Sequence, residues 1–165
     1  MTAPVAPAWL PGLIPVGGDW NALLGVLYAV FERDIKRGKP RVGGVPVWWD
    51  RRLLAGQTYE EGFWHLITKD DREYGRIPDF RRAERLAWCA AVIANCGDAA
   101  VTSWRYLEGN GRPRRYFWLQ DHDYVVVLEE RTTARGAVLV LLTAYHIDGP
   151  SARRSLKRKF EKRVV

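Results

Sequence analysis

The stretch AVTSWRYLEGNGRPRRYFWLQDHDYVVVLEERTTARGAVLVLLTAYH, residues 100–146, decides the fold. It contains runs rich in β-branched and aromatic residues, which predict strands at residues 100–106, 114–120, 124–130 and 137–146. Turn-forming pieces such as GNGRP and TTARG separate these runs. Strands at this spacing are typical of an antiparallel meander. We therefore expect one antiparallel, roughly four-stranded sheet.

Helix signals flank this region on both sides. Asp19 precedes apolar residues at helical spacing in residues 20–36, and Asp79 can cap a second helix over residues 80 to about 95. Pro150 opens a final helix that is rich in Lys and Arg. Because helices and strands occupy separate parts of the chain, the predicted class is α+β, with the helices packed on the sheet.

Three other segments have less defined signals. Residues 45–49 form a short apolar run that can be a strand, although Pro46 would confine it to a sheet edge. Residues 59–68 fit either a strand or a helix. Residues 1–18 are rich in Pro, Ala and Gly, which predicts an irregular arm or a docking strap. We therefore expect a single domain over residues 19–165.

Composition and charge narrow the class of protein. The chain has 165 residues, 47% of them hydrophobic, which suffices for one full-sized core. It has 26 Lys and Arg against 19 Asp and Glu, a balance that favours a polyanionic partner. The start, MTAPVAPAWLPGLIPVGG, has no basic region and its apolar stretch is broken by prolines, so it predicts neither a signal peptide nor a membrane span. We expect a cytoplasmic protein, which still allows later delivery into a target cell.

The sequence has no motif for a metal or a cofactor. It contains no CxxC pair, no HExxH, no clustered Asp and Glu of the two-metal nuclease type, and no glycine loop for phosphate. Its serines lack the glycine context of a nucleophile elbow. We therefore expect no metal and no cofactor, and acid–base cleavage of a phosphodiester is the simplest enzymatic hypothesis.

His65, in GFWHLITKD at residues 62–70, is the first candidate for chemistry. A neutral imidazole accepts a proton from a ribose hydroxyl, and a charged one delivers a proton to a leaving oxygen. Thr68 shares a face with His65 if the segment is a helix and lies opposite if it is a strand. The alternative is that His65 is an amphipathic filler beside Trp64.

Arg82 and Arg85 are the candidates for stabilising a phosphorane. Arg82 lies in line with the apolar stripe of its predicted helix and Arg85 lies at the edge of that stripe, so both guanidinium groups can converge over the sheet. The alternative is that both arginines form salt bridges to Glu84, Asp79 or a carboxylate of the sheet.

Thr143 and Tyr145 are candidates from the last strand. They are two residues apart, so a strand places them on one face, where a hydroxyl and a phenol can bind a phosphoryl oxygen or relay a proton. The alternative is that both are ordinary strand formers.

Further basic residues are candidates for contacting RNA. Arg114 and Arg115 neighbour Tyr116, an aromatic residue on which a base could stack. The last helix presents Arg154, Lys157 and Arg158. The alternative is a solvated basic face with no ligand.

The ordered set FWHLITKD, PDFRRAERLAW, RRYFWLQDHDYVVVLEER and LLTAYHID with a basic tail resembles the phage-associated branch of the barnase, EndoU, colicin E5/D and RelE-like (BECR) nucleases. The resemblance covers roughly residues 45–162. It implies a barnase-like fold, with helices on an antiparallel four-stranded sheet, and a metal-independent ribonuclease that leaves a 2′,3′-cyclic phosphate. It also implies that His65 is a general acid or base with Thr68 close by. Arg82 and Arg85 would stabilise the transition state, and Thr143 and Tyr145 would complete the site.

The sequence therefore predicts an endoribonuclease toxin or phage-derived effector that acts on tRNA, mRNA or rRNA. A cognate acidic immunity or antitoxin protein is a corollary, because such a nuclease endangers the cell that makes it. Two alternatives stay open, namely a non-catalytic RNA-binding module and a phage or host interaction protein.

Overall fold

The computed structural model describes residues 2–165. The helices are α1 (Trp20–Phe31), which continues into a π-helical turn (Glu32–Lys36), α2 (Glu61–Trp64), α3 (Phe80–Glu84), α4 (Leu86–Ala94) and α5 (Gly149–Glu161). The strands are β1 (Arg41–Val42), β2 (Val45–Trp49), β3 (Thr68–Asp71), β4 (Gly75–Pro78), β5 (Thr102–Leu107), β6 (Pro113–Leu119), β7 (Tyr124–Thr133) and β8 (Gly136–His146). Within residues 2–165, no helix combines the length and the apolar character needed to cross a membrane.

Six strands form one curled, mixed sheet in the order β1-β2-β8-β7-β6-β5, and β3 pairs with β4 in a separate hairpin. The class is α+β, but the predicted four-stranded antiparallel sheet is wrong. Strands β5 to β8 do pair with their sequence neighbours in antiparallel order. The sheet continues past β8 into β2 and β1, and this continuation makes it mixed and six-stranded.

The strand β2 makes the sheet mixed instead of fully antiparallel. Its residues 47–49 pair in parallel with residues 139–141 of β8, and β1 covers its other edge. Pro46 precedes this parallel ladder, so its missing N–H removes no bond from it. A parallel pair requires a long crossover connection, which no local pattern in residues 45–49 can reveal.

The sheet carries an apolar core on each face. Val126 and Leu128 of β7 belong to the larger core, which α1 and α4 cover. Val125 and Val127 belong to the smaller core, which contains Leu156 of α5. This alternation buries β7 on both faces, which explains its nearly continuous apolar sequence.

The N-terminal segment is a strap on the helices. The backbone N–H of Ile14 donates to the carbonyl of Glu84 at 2.8 Å, and the indole Nε1 of Trp88 donates to the carbonyl of Pro11 at 2.8 Å. Trp9 and Ile14 pack against the larger core. These contacts attach the segment to α3 and α4.

The helix predicted from residue 80 to about residue 95 is broken. Asp79 caps its start by accepting a hydrogen bond from the backbone N–H of Arg82 at 3.1 Å. Arg85 then has φ −103° and ψ 11°, which is not helical, and it separates α3 from α4. The break changes the direction in which Arg85 points relative to Arg82.

Glu60 is a buried carboxylate that ties α1 to β2. It accepts hydrogen bonds from the phenol of Tyr28 and from the indole Nε1 of Trp49, the latter at 3.0 Å, and Lys36 lies 3.4 Å away. Burial alone would raise the pKa of Glu60, but the hydrogen bonds from Tyr28 and Trp49 and the charge of Lys36 together outweigh burial and lower it. A carboxylate whose pKa is lowered by folding stabilises the fold above its unfolded pKa, and this contribution is lost as the pH falls.

We expect Glu60→Gln to lower the free energy of unfolding at pH 7 by about 1 to 3 kcal/mol, because the charged acceptor of these hydrogen bonds is lost. Between pH 5 and pH 3 the wild-type protein should lose stability faster than the variant, which has no carboxyl group to protonate here. Urea denaturation at pH 7, 5 and 3 measures both effects. Glu73→Gln removes an exposed carboxylate and serves as the control. Parallel pH curves for wild type and Glu60→Gln would contradict the prediction.

Candidate functional site

The candidate site lies at the edge of β8 that β2 leaves uncovered. Within residues 2–165, the pairing of β2 with β8 ends where Trp49 faces Leu141. Beyond this point the turn after α2 and the helix α3 lie against β8, where Thr143 contacts both of them. The site therefore combines the end of one strand, the end of a short helix and the start of another helix.

Gly62 brings α2 onto the end of β2. Its backbone N–H donates to the carbonyl of Asp50 at 2.8 Å. A Cβ atom on Gly62 would lie 2.9 Å from that carbonyl oxygen and 3.0 Å from the Cβ of Trp49. Only glycine allows this approach, which carries His65 to the end of β2.

We expect Gly62→Ala to lower the free energy of unfolding by about 1 to 3 kcal/mol, because backbone atoms must move to accept the new methyl group. Gly25→Ala is the matched control, since a Cβ at Gly25 in α1 meets nothing within 4 Å. The control should be stabilised by about 0.5 to 1 kcal/mol, the usual gain for alanine over glycine inside a helix. Thermal or urea unfolding measures both, and equal effects of the two substitutions would refute the close approach.

The backbone carbonyl of His65 is the junction of the site. It accepts a hydrogen bond from Nη1 of Arg82 at 3.2 Å and another from Oγ1 of Thr143 at 3.1 Å. The same Nη1 lies 3.3 Å from Oγ1 of Thr143, and Nε of Arg82 lies 3.2 Å from a carboxylate oxygen of Asp79. Residues 78 positions apart in the chain are thus brought into contact.

A polar cavity of about 130 Å³ opens at this junction and is lined by His65, Thr68, Lys69, Asp70, Arg76, Arg82 and Thr143. This volume lies below the range of about 300 to 1,000 Å³ that is usual for small-ligand sites, so it suits a small polar group and not a whole nucleotide. Arg82 lines this cavity, and the hydrogen bonds of its guanidinium group to His65 and Thr143 both come from Nη1. Fixed N–H donors of this kind suit a phosphoryl oxygen.

The imidazole of His65 lies against a buried carboxylate. Its Nε2 is 3.9 Å from Oε2 of Glu61, one helical turn earlier, and the His65 side chain is 41% exposed. Arg76 binds Glu61 through both terminal nitrogens, at 2.5 and 3.2 Å. The hydrogen bonds from Arg76 lower the pKa of Glu61, as His65 also does more weakly, so the carboxylate is ionised at neutral pH.

Of the two remaining candidates, Thr68 lines the cavity and Tyr145 lies beside Arg82 outside it. Thr68 lines the cavity and its hydroxyl donates to the carbonyl of Trp64 at 2.6 Å, which leaves its oxygen free to accept a hydrogen bond. The ring of Tyr145 lies 5.4 Å from the guanidinium carbon of Arg82 but does not line the cavity. Burial raises the pKa of Tyr145, so its phenol remains protonated at neutral pH.

Arg85 is not brought to the cavity. Its Nη1 binds the carboxylate of Glu84 and donates to the carbonyl of Arg81 at 3.0 Å. Its guanidinium carbon lies 5.1 Å from the ring centre of Trp88. The break between α3 and α4 therefore separates the two arginines that the sequence placed together.

The basic residues predicted to bind RNA fall into two groups. On the sheet, Arg114 lies 3.6 Å from Glu108 and Arg115 lies 3.5 Å from Glu130, so both already face carboxylates. The ring of Tyr116 is 2% exposed and stacks on Trp104 at 5.1 Å, which leaves it no face for a base.

On α5 the arrangement differs. Arg154, Lys157 and Arg158 are exposed, and they form no ion pair with any residue of the described part of the chain. They remain available to an anionic partner.

Sequence reasoning missed Glu61 and Arg76. Glu61 precedes His65 by four residues, a spacing that places both side chains on one face of a helix. The signal was present in the sequence but depended on choosing a helix for residues 59–68. Arg76 had no signal of its own, because it reaches Glu61 only through the β3–β4 hairpin.

Within residues 2–165, no three His, Cys, Asp or Glu side chains form a group able to hold a metal ion. Comparison of the chain with models of known protein families, with curated proteins and with solved structures found no match.

Proposed function

We propose that this protein is an endoribonuclease that cleaves RNA by attack of the ribose 2′-OH, without a metal ion. The observation that carries this proposal is a polar cavity that His65, Arg82 and Thr143 line together, with Nη1 of Arg82 3.3 Å from the hydroxyl of Thr143. An acid–base group, a fixed guanidinium and hydroxyls are the components that phosphodiester transfer requires.

The proposed reaction breaks one P–O bond and forms another. A base removes the proton of the 2′-OH, O2′ attacks phosphorus, and the P–O5′ bond breaks as O5′ receives a proton. The products are a 2′,3′-cyclic phosphate and a 5′-hydroxyl end. His65 serves as the base or as the acid, and both roles suit an imidazole near neutral pH.

In this proposal Arg82 stabilises the negative charge on the non-bridging phosphoryl oxygens in the transition state. Its Nη1 is held by the His65 carbonyl and Thr143, and its Nε faces Asp79, so the guanidinium is fixed before substrate binds. Donors that are already oriented cost no reorganisation when charge develops. Glu61 acts as a positioning residue for His65, since it is ionised and buried beside the imidazole.

A non-catalytic RNA-binding module is the second candidate, and the unpaired basic face of α5 favours it. Arg154, Lys157 and Arg158 can contact phosphates whether or not the cavity is catalytic. This candidate predicts salt-dependent RNA binding without cleavage.

The same face suggests a partner. An acidic immunity or antitoxin protein that covers α5 and the cavity would protect the RNA of the producing cell, or of a target cell that carries the partner. The candidate RNA targets remain tRNA, mRNA and rRNA.

The test is incubation of the purified protein with total RNA and ribosomes in excess EDTA, followed by analysis of the fragment ends. We expect cleavage that leaves 2′,3′-cyclic phosphate ends. An oligonucleotide with one 2′-deoxy residue at the cleavage position should stay intact. A variant that carries both His65→Ala and Arg82→Ala, purified in the same way, controls for contaminating ribonuclease. Intact RNA, or equal cleavage by wild type and double variant, would overturn the proposal.

A further inference from the structure

Two more cavities continue from the small polar cavity along β2. The first, a cleft of about 720 Å³, shares His65 with the small cavity and is also lined by Trp48, Trp49, Asp50 and Arg51. The second, of about 220 Å³, shares Trp48, Trp49 and Arg51 with the cleft. These shared residues place the three cavities next to one another, and we refer to the three together as the depression.

The cleft has the size and lining of a nucleoside site. Its volume lies within the range of about 300 to 1,000 Å³ that is usual for small-ligand sites. Trp48 is 40% exposed, which is unusual for a large aromatic residue in an internal strand. Val140 and Leu141 of β8 add apolar surface beside it. An open indole is a platform on which a base can stack.

Arg51, Arg52 and Arg131 line the cleft, and Arg131 is paired with Glu129 at 2.9 Å. Arg51 is oriented but not neutralised. The guanidinium carbon of Arg51 lies 4.5 Å from the ring centre of Trp49. It forms no ion pair with any residue from 2 to 165. Arg52, by contrast, is held by Asp50 in a two-pronged salt bridge, with its Nη2 at 2.6 Å. The cleft therefore offers one free positive charge beside its aromatic surface.

The last cavity is basic and is lined by Lys36, Lys39 and Arg41. Lys36 is engaged by Glu60, but Lys39 and Arg41 have no acidic partner in the described chain. Arg41 donates only to the carbonyl of Gly44, at 2.6 Å. Two free cations at the end of the depression suit a phosphate.

We propose that this depression is a track for an unpaired RNA strand. The small cavity takes the scissile phosphate, the base of the adjacent nucleoside stacks on Trp48, and the next phosphate binds Lys39 and Arg41. The assignment of the scissile position rests on the proposed function, whereas the track itself needs only strand binding. Paired bases are not free to leave the helix and stack, so the track selects single-stranded RNA.

Binding of a fluorescein-labelled 2′-O-methyl RNA octamer, which has no free 2′-OH and cannot be cleaved, tests the track separately from catalysis. Fluorescence anisotropy gives Kd for the single strand and for the same strand in a duplex. We expect the single strand to bind more tightly. Trp48→Ala should weaken its binding about 5- to 150-fold, the usual effect of losing one stacked base. Trp48→Phe should restore most of the affinity.

Lys39→Asn tests the phosphate at the far end. Lys39 has φ +46°, a conformation that asparagine tolerates well, so the substitution removes charge with little strain. The slope of log Kd against log salt should fall by about one relative to wild type. Leu107→Ala, at the opposite edge of the sheet, is the control for loss of an apolar side chain, and Lys162→Gln, at the end of α5, is the control for loss of one charge.

Each outcome decides the proposal. The track is supported if Trp48→Ala and Lys39→Asn weaken binding while both controls bind like wild type. It is overturned if the duplex binds as tightly as the single strand or if Trp48→Ala stays within twofold of wild type. It is also overturned if binding is weakened only by Arg158→Gln, which alters the basic face of α5. Binding through Trp48 by a protein that cleaves no RNA would leave the track standing and reject the proposed function. RNA cleavage together with unchanged binding of the octamer by Trp48→Ala would reject the track and leave the proposed function standing.

Discussion

Replacing His65 with alanine is expected to lower the rate of RNA cleavage by about 10²- to 10⁴-fold, the usual effect of losing a general acid or base. The fold should be preserved, because the imidazole is 41% exposed and the structure uses His65 through its backbone carbonyl. Alanine retains that carbonyl. Single-turnover rates on a short oligonucleotide, together with the thermal midpoint, measure both effects.

His146→Ala is the matched control for His65→Ala. His146 lies on β8 close to Thr143, but its Nδ1 bonds Asp148 at 2.8 Å and it does not line the cavity. The control should cleave at the wild-type rate. A cleavage rate of His65→Ala within about threefold of wild type would show that His65 is not the general acid or base, because losing such a group usually lowers the rate by about 10²- to 10⁴-fold.

Arg82→Lys should lower kcat by about 10²- to 10³-fold, the range found when an oriented donor to a developing charge is lost. Lysine retains the charge but replaces the planar fork by one rotatable ammonium group. The His65 carbonyl also loses one of its two donors, so unfolding free energy should fall by about 1 to 3 kcal/mol. Steady-state kinetics at a temperature where the variant is fully folded separate the two effects.

Arg85→Lys distinguishes the structure from the sequence prediction. The sequence placed Arg85 beside Arg82, whereas the structure binds Arg85 to Glu84 and to the Arg81 carbonyl. We therefore expect kcat of Arg85→Lys to stay near that of wild type. Equal losses of kcat for the two lysine variants would mean that Arg85 reaches the phosphate and that α3 and α4 move on binding.

The four strands β5 to β8 and the cap at Asp79 were predicted from residues that are close together in the chain. The strands from β5 to β8 begin and end within a few residues of their predicted bounds, because turn residues separate them. The cap at Asp79 also formed as predicted. These features depend on neighbours in the chain, which is the information that a single sequence carries.

The features that the sequence did not predict depend on distant contacts. The parallel pairing of β2 with β8 joins residues about 90 positions apart, and β1 has only two residues. No glycine or proline near Arg85 indicates the helix break. Arg82 contacts Thr143, in agreement with the prediction that Arg82 points toward the sheet. The prediction that Arg85 lies beside Arg82 assumed one unbroken helix, so it could not anticipate that the break separates the two side chains.

The pairing of β2 with β8 also determines when the cavity can form during synthesis of the chain. Thr143, which lines the cavity, lies 78 positions after His65 in the chain, and Trp48 precedes both. Contacts between such distant residues close late in folding, since long loops must be ordered before they form. In the nascent chain, Thr143 therefore cannot meet His65 until β8 has been synthesised and has paired with the rest of the sheet. Under the proposed ribonuclease function, this order of assembly would keep the growing polypeptide inactive beside the ribosome and messenger RNA that produce it.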